Sequence, residues 1–114
     1  MKLLTIIVRP EKISNITAAL YTIGVTGMTI SDVRGHGIQK GVKTIYRGVE
    51  YQTDFVTKCK IETVVNDAIY EKAIEVIIDA SRTGQVGDGK IFVTEVLDVI
   101  RIRTGQHGQE ALDQ

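Results

Sequence analysis

The hydrophobic periods of this chain run in one order twice. LLTIIV, Leu3 to Val8, is apolar throughout, as in a strand covered on both faces. Ile13, Ile16, Leu20 and Ile23 then recur at helical spacing. MTISDVRG follows as a second strand, with Met28, Ile30 and Asp32 on one face and Thr29, Ser31 and Val33 on the other. After a gap at residues 37 to 55 the order repeats. Thr57, Cys59, Ile61, Thr63 and Val65 alternate with Val56, Lys58, Lys60, Glu62 and Val64; Ile69, Ala73, Val76, Ile77 and Ala80 mark a helix; IFVTEVLDVI reads as a last strand. Strand, helix, strand, twice over, predicts an α+β fold of the ferredoxin-like βαββαβ type in one domain spanning residues 1 to 114. Right-handed crossovers bring both helices to one sheet face. The other face would leave apolar residues in water, which predicts a symmetric oligomer.

Local signals mark the element ends. Pro10 suits a first helical position and Glu11 the positive end of the dipole. Gly24 ends the first helix, Asn66 is placed to cap the second, and Gly84 to close it. The gap carries IYRGVEYQTDF, whose tyrosines and charges show no period that would bury them. An unpaired segment of that length in a small domain points to a function. The tail GQHGQEALDQ is polar and expected to be mobile.

Composition excludes several classes. With 14 Lys plus Arg against 14 Asp plus Glu, no net field draws nucleic acid or a membrane surface. No apolar run reaches the length of a membrane span, and MKLLTIIVRP is too short for a signal peptide. The single cysteine, Cys59, forms no internal disulfide and reads as an inert core residue in a cytoplasmic protein. His36 and His107 lack partners at zinc-ligand spacing.

The chemistry gathers in two loops and a strand. GQVGDGK, Gly84 to Lys90, matches GxxxxGK, but Ile91 stands where a magnesium-binding Ser or Thr belongs. It also runs from helix to strand, the reverse of a phosphate-binding P-loop. Its glycines still let backbone N–H groups converge on an anion, with Lys90 adding a point charge. Alternation would put Arg101 and Arg103 on one strand face, where a polyphosphate would relieve their repulsion. Alone, the loop is equally at home as a tight turn, and an isolated RxR reads first as a solvated edge strand. No candidate general base or nucleophile accompanies them, so a non-catalytic protein is expected.

Two stretches are more specific. QKGVKTIYRGVEY resembles the first signature of the PII nitrogen-regulatory signal-transduction family, and TGQVGDGKIFV resembles the second. The resemblance runs from the first strand to RIRTG. It implies a homotrimer with nucleotide sites in clefts between subunits. Residues 37–55 would be the T-loop, 82–90 the B-loop and 102–114 the C-terminal loop. The resemblance assigns Gly87, Asp88, Gly89 and Lys90 to the phosphates of ATP or ADP, with Arg101 and Arg103 reaching them from a neighbour. Thr29, Gly35, Gly37, Glu62 and Val64 would line the adenine and ribose side, with Ile38 and Gln39 nearby. With Mg and ATP bound, 2-oxoglutarate would chelate the metal beside Gln39, its carboxylates meeting Gly37, Lys40, Gly41, Lys58 and Gly87. Arg47 would enter an ammonium-transporter pore, and Tyr51 matches a tyrosine that some members have nucleotidylylated.

The implied role is a cytoplasmic sensor of ATP, ADP and 2-oxoglutarate. It would control a transporter or a nitrogen-metabolism enzyme through the T-loop, with recruitment to a membrane only through such a partner. Three departures stand out: Ile38 replaces a basic residue, Val49 a phosphorylatable serine, and VTK the commoner LPK before Cys59. They leave room for an alternative, a nucleotide-only regulator of an amino-acid or polyamine transporter.

Overall fold

Strand β1 (Lys2–Val8) sends alternate side chains to opposite faces, and Leu4, Ile6 and Val8 are buried while Leu3, Thr5 and Ile7 are half-buried. The structure is a computed structural model. It describes residues 1–36, 43–46, 49–52 and 55–112, and of 43–46 and 49–52 the backbone alone.

Arg9 is held extended, as the residue before a proline must be. Pro10–Lys12 then forms one 3-10 turn that leads into helix α1 (Ile13–Thr22). Ile16 and Leu20 point inward. The helix ends in a Schellman arrangement: Gly24 N–H donates to Tyr21 O and Val25 N–H to Leu20 O, with Gly24 at φ +88°. Strand β2 (Thr29–His36) follows, then the short strands β3 (Lys43–Tyr46) and β4 (Val49–Gln52). Strand β5 (Phe55–Val65), helix α2 (Tyr70–Ser81), strand β6 (Lys90–Glu95) and a four-residue helix α3 (Gln109–Leu112) complete the chain.

The main sheet has the order β2-β5-β1-β6, all neighbours antiparallel. This is the ferredoxin-like arrangement, with α1 and α2 packed side by side on one face. Between sheet and helices lie Leu4, Ile6, Ile16, Leu20, Ile61, Val65, Ala73 and Ile77, each almost wholly buried. Two hydroxyls on this side are satisfied: Ser81 donates to Ile77 O at 2.6 Å and Thr63 to Gly27 O at 2.7 Å. Cys59 is buried there too, with its thiol 3.4 Å from Asp32 Oδ1. The other face carries Leu3, Ile7, Val33, Val56, Val64 and Phe92 among lysines; α1 and α2 lie on the opposite side, and Val99 and Leu112 reach only its Leu3–Val64 end.

Several local expectations need correction. The gap is not wholly unpaired: β3 and β4 form an antiparallel pair with Ile45 opposite Glu50, and Phe55 already belongs to β5. The last long strand stops at Glu95. Its partner β1 begins at Lys2, directly opposite Glu95, and Val96 N–H donates to Met1 O as the ladder runs out. Arg101 and Arg103 therefore do not share a strand face; residues 102–104 form a turn. The tail folds back instead of trailing off. Ile100 bridges His107, and Asp98 accepts from His107 Nδ1 at 2.7 Å and from Gly108 N–H. The His107 contact, with the Val99 and Gly108 amides, lowers the Asp98 pKa. Gly84 is left-handed but does not close α2, whose C-cap is the extended Arg82. Asn66 accepts from Ile69 N–H at 3.1 Å, capping the turn before α2 rather than the helix itself.

Candidate functional site

The connection from α2 to β6 folds onto the end of β1. Gly89, at φ +102°, passes so close to β1 that a Cβ there would lie 1.8 Å from Ile7 O. Only glycine fits that crossing. The neighbouring Asp88 closes the loop from inside. Its Oδ2 accepts from the N–H groups of Thr83 and Gly84, each at 2.9 Å. Its Oδ1 accepts from the Thr83 hydroxyl and, at 2.6 Å, from Arg9 Nη1. Together the Thr83 hydroxyl and amide, the Gly84 amide and the Arg9 guanidinium hold the Asp88 carboxyl well below the usual range.

Cations surround this loop. Arg9 Nη2 donates to Val86 O at 2.8 Å, and Lys58 Nζ to Gly87 O at 2.6 Å. The pairing Ser31–Lys60–Ile7–Lys90 runs across the sheet, so Lys60 and Lys90 share the open face with Lys58 one step along β5. Gly35 lies on the same end, its Cα facing the Lys58 stem. One end of the sheet thus offers a glycine-rich loop contacted by Arg9 and Lys58 and ended by Lys90, while Lys60 on the same face reaches Glu62 at 3.7 Å.

Thr29 and Glu62 share the row of Thr5, midway along β1, and Val64 lies one step further, opposite Leu3. They line a cavity of about 530 Å³ together with Leu3, Val99 and Leu112. Val64 is opposite Leu3 on β1, whereas Lys90 is opposite Ile7. Four residues of strand separate the two rows, about 13 Å at a strand's rise. Arg101 belongs to this cavity end: its Nη1 donates to Gln106 Oε1 at 2.7 Å and its Nη2 to Glu110 O at 2.8 Å, tying it to α3 beside Leu112. Arg103 follows in the exposed turn. A single chain therefore does not bring the sequence-derived residues into one site. It sorts them into two half-sites along one sheet, the loop and its cations at the Ile7 end, Val64 and Arg101 at the Leu3 end, with Thr29 and Glu62 between.

A family model for nitrogen regulatory protein P-II matches residues 1–106. The chain belongs to the nitrogen regulatory protein P-II family.

Its P-II relatives are similar along almost their whole length. It is 48% identical to nitrogen regulatory protein P-II 1 of Methanothermobacter thermautotrophicus over 98% of this chain and 97% of that one. It is 47% identical to nitrogen regulatory protein P-II of Azospirillum brasilense, over 98% of this chain and all of the relative. Among solved structures, Arabidopsis thaliana PII bound to citrate superposes with a TM-score of 0.81 at 42% identity, covering 99% of this chain and 90% of that one. The P-II relatives are named as regulators, which fits a non-catalytic role.

Gly37, Ile38, Gln39, Lys40, Gly41 and Arg47 lie outside the described residues. Tyr51 falls on β4, opposite Thr44. Asp88, expected to meet phosphates, has both oxygens engaged within its own loop. Arg9 and Thr83 were not foreseen as site residues. The legible signals were Pro10, which keeps Arg9 extended at the strand end, and a Thr and an Asp bracketing the glycine-rich stretch.

Proposed function

We propose that this P-II protein is a homotrimeric, non-catalytic signal-transduction regulator. It binds ATP or ADP at each seam between subunits. The glycine-rich loop with Gly87, Gly89 and Lys90 faces the phosphates from one subunit. Thr29, Glu62 and Val64, with Arg101 and Arg103, come from the next. The observation that carries this reading is the separation of the two half-sites along one sheet. Neither is a complete nucleotide site by itself, and two copies set end to end would join them. The open, partly apolar sheet face gives the copies a reason to associate. The Arabidopsis relative is named as bound to citrate, so a scaffold of this kind takes a small polyanion.

Among the described residues no group of three or more His, Cys, Asp or Glu is placed to hold a metal. A magnesium ion would depend on nucleotide phosphates and water for most of its oxygens, with Gln39 as the protein ligand. In that state 2-oxoglutarate would add beside Gln39, Lys40, Gly41 and Lys58. Occupancy would bias the T-loop, at whose root His36 stacks edge-on against Phe55 with ring centres 5.2 Å apart. The T-loop, with Arg47 and Tyr51, would then meet an ammonium transporter or a nitrogen-metabolism enzyme. Ile38, in place of a basic residue, favours the second reading, a regulator of an amino-acid or polyamine transporter that answers to nucleotide alone.

Calorimetry of the full chain with Mg and ATP, with and without 2-oxoglutarate, tests this. The first reading requires ATP binding and, in its presence, 2-oxoglutarate binding. The second requires ATP binding only. No heat with ATP or ADP would remove both.

A further inference from the structure

Arg9 stands at the junction of β1 and the Pro10 turn, far in sequence from the loop it touches. Its side chain is about three-quarters buried. Nη1 meets Asp88 Oδ1 at 2.6 Å and Thr83 Oγ1 at 3.3 Å, while Nη2 meets Val86 O at 2.8 Å. A Cβ on Gly87 would come 3.0 Å from the same Nη2. One guanidinium fork therefore spans the loop from its first residue to its last turn, which the single ammonium of a lysine does not do.

Two consequences follow. A carboxylate has about four acceptor positions, and those of Asp88 are filled by Thr83 N–H, Thr83 O–H, Gly84 N–H and Arg9. Asp88 thus offers an incoming anion no donor, only negative charge, and Arg9 is the cation that offsets it. Second, a trans peptide points its N–H opposite its C=O. With Val86 O turned to Arg9, the Gly87 N–H is directed away from Arg9.

We propose that Arg9 is a positioning residue for phosphate binding: it locks the 83–88 loop so that Gly87 N–H is presented outward, and it neutralises Asp88. The proposal rests on the nucleotide reading above and adds a residue to it that is not itself a ligand.

Full-chain Arg9→Met and Arg9→Lys, beside the parent, test it with two readouts. Amide exchange without ligand reads the loop. Calorimetry with ATP, ADP and adenosine reads binding. For Arg9→Met, exchange at Thr83 and Gly84 is expected to quicken at least about tenfold. ATP binding is expected to weaken about tenfold or more, ADP less, and adenosine not at all. Arg9→Lys restores charge but only one of the contacts, so it falls between. Unchanged exchange overturns the proposal, and so does equal weakening of ATP and adenosine, which marks general damage. If the parent binds ATP and Arg9→Met matches it, the proposal falls alone. If the parent binds no ATP, the nucleotide reading falls and the phosphate role of Arg9 falls with it, even where exchange quickens.

Discussion

Gly89 crosses β1 so closely that the carbonyl oxygen of Ile7 occupies the space where a side chain would begin. Backbone against backbone fixes the glycine-rich loop to the sheet end, and a flexible neighbour cannot relieve the overlap. Gly89→Ala is therefore expected to destabilise the chain by at least about 3 kcal/mol, from overpacking and positive-φ strain together. Gly84 shares the left-handed backbone but has nothing within 4 Å of its missing Cβ. Gly84→Ala should cost only about 1–2 kcal/mol. Paired thermal melts of the two variants measure the difference.

Acid should spare this loop longer than most carboxylate contacts. Bonds from the Thr83 hydroxyl and amide, then the Gly84 amide and Arg9, lower the Asp88 pKa in the fold. A depressed carboxylate contributes stability above its unfolded value, near about 3.9, and loses it as pH falls through the folded value. Titrating the Asp88 carboxyl by NMR should find it still ionised at pH values where exposed aspartates are protonated. In Asp88→Asn the corresponding acid-dependent loss should vanish.

The core makes an ordinary demand. Ile61 sits on the central part of β5 with no exposure, between β1 and β2 and under the helices. Ile61→Ala removes three carbons from a filled site and should cost roughly 2–5 kcal/mol in urea unfolding. Phe92→Ala, on the half-exposed open face, should cost an isolated subunit much less and affect association instead.

Cys59 should resist thiol reagents in the folded chain. Burial, then the Asp32 carboxylate beside it, raises the thiol pKa and keeps it protonated. Reaction with a disulfide reagent should become fast only in denaturant. Rapid labelling of the native chain would mean that β2 opens from β5.

The fold was legible because each half of the chain writes its periods plainly. Ile16 and Leu20 at helical spacing, and Cys59, Ile61, Thr63 and Val65 at alternate positions, are the residues that the structure buries. The errors fall where a period depends on a partner. IFVTEVLDVI is mostly apolar to its end, yet β6 stops at Glu95, where its pairing with β1 ends at Lys2. KTIY and VEYQ pair as β3 and β4, but four residues are too few for a period of two to stand out. In the site, the glycines and Lys90 were readable as an anion loop. Arg9 was not, because 79 positions separate it from Asp88 and only the antiparallel sheet brings them together. That the half-sites are spread along the sheet was also hidden, since it follows from the register of β1 with β5 and β6.

The most direct measurement of the composite nucleotide site mixes two defective chains. Lys90→Ala impairs the loop half, and Arg101→Ala the cavity half. Each alone should bind ATP at least about tenfold more weakly than the parent. Unfolded together in equal amounts and refolded as trimers, they should regain parent-like affinity at about a quarter of the seams, those where two intact halves meet. Calorimetry of the mixture should show that fraction of tight sites. A mixture no better than its components, while the parent binds ATP, would contradict a site shared between subunits.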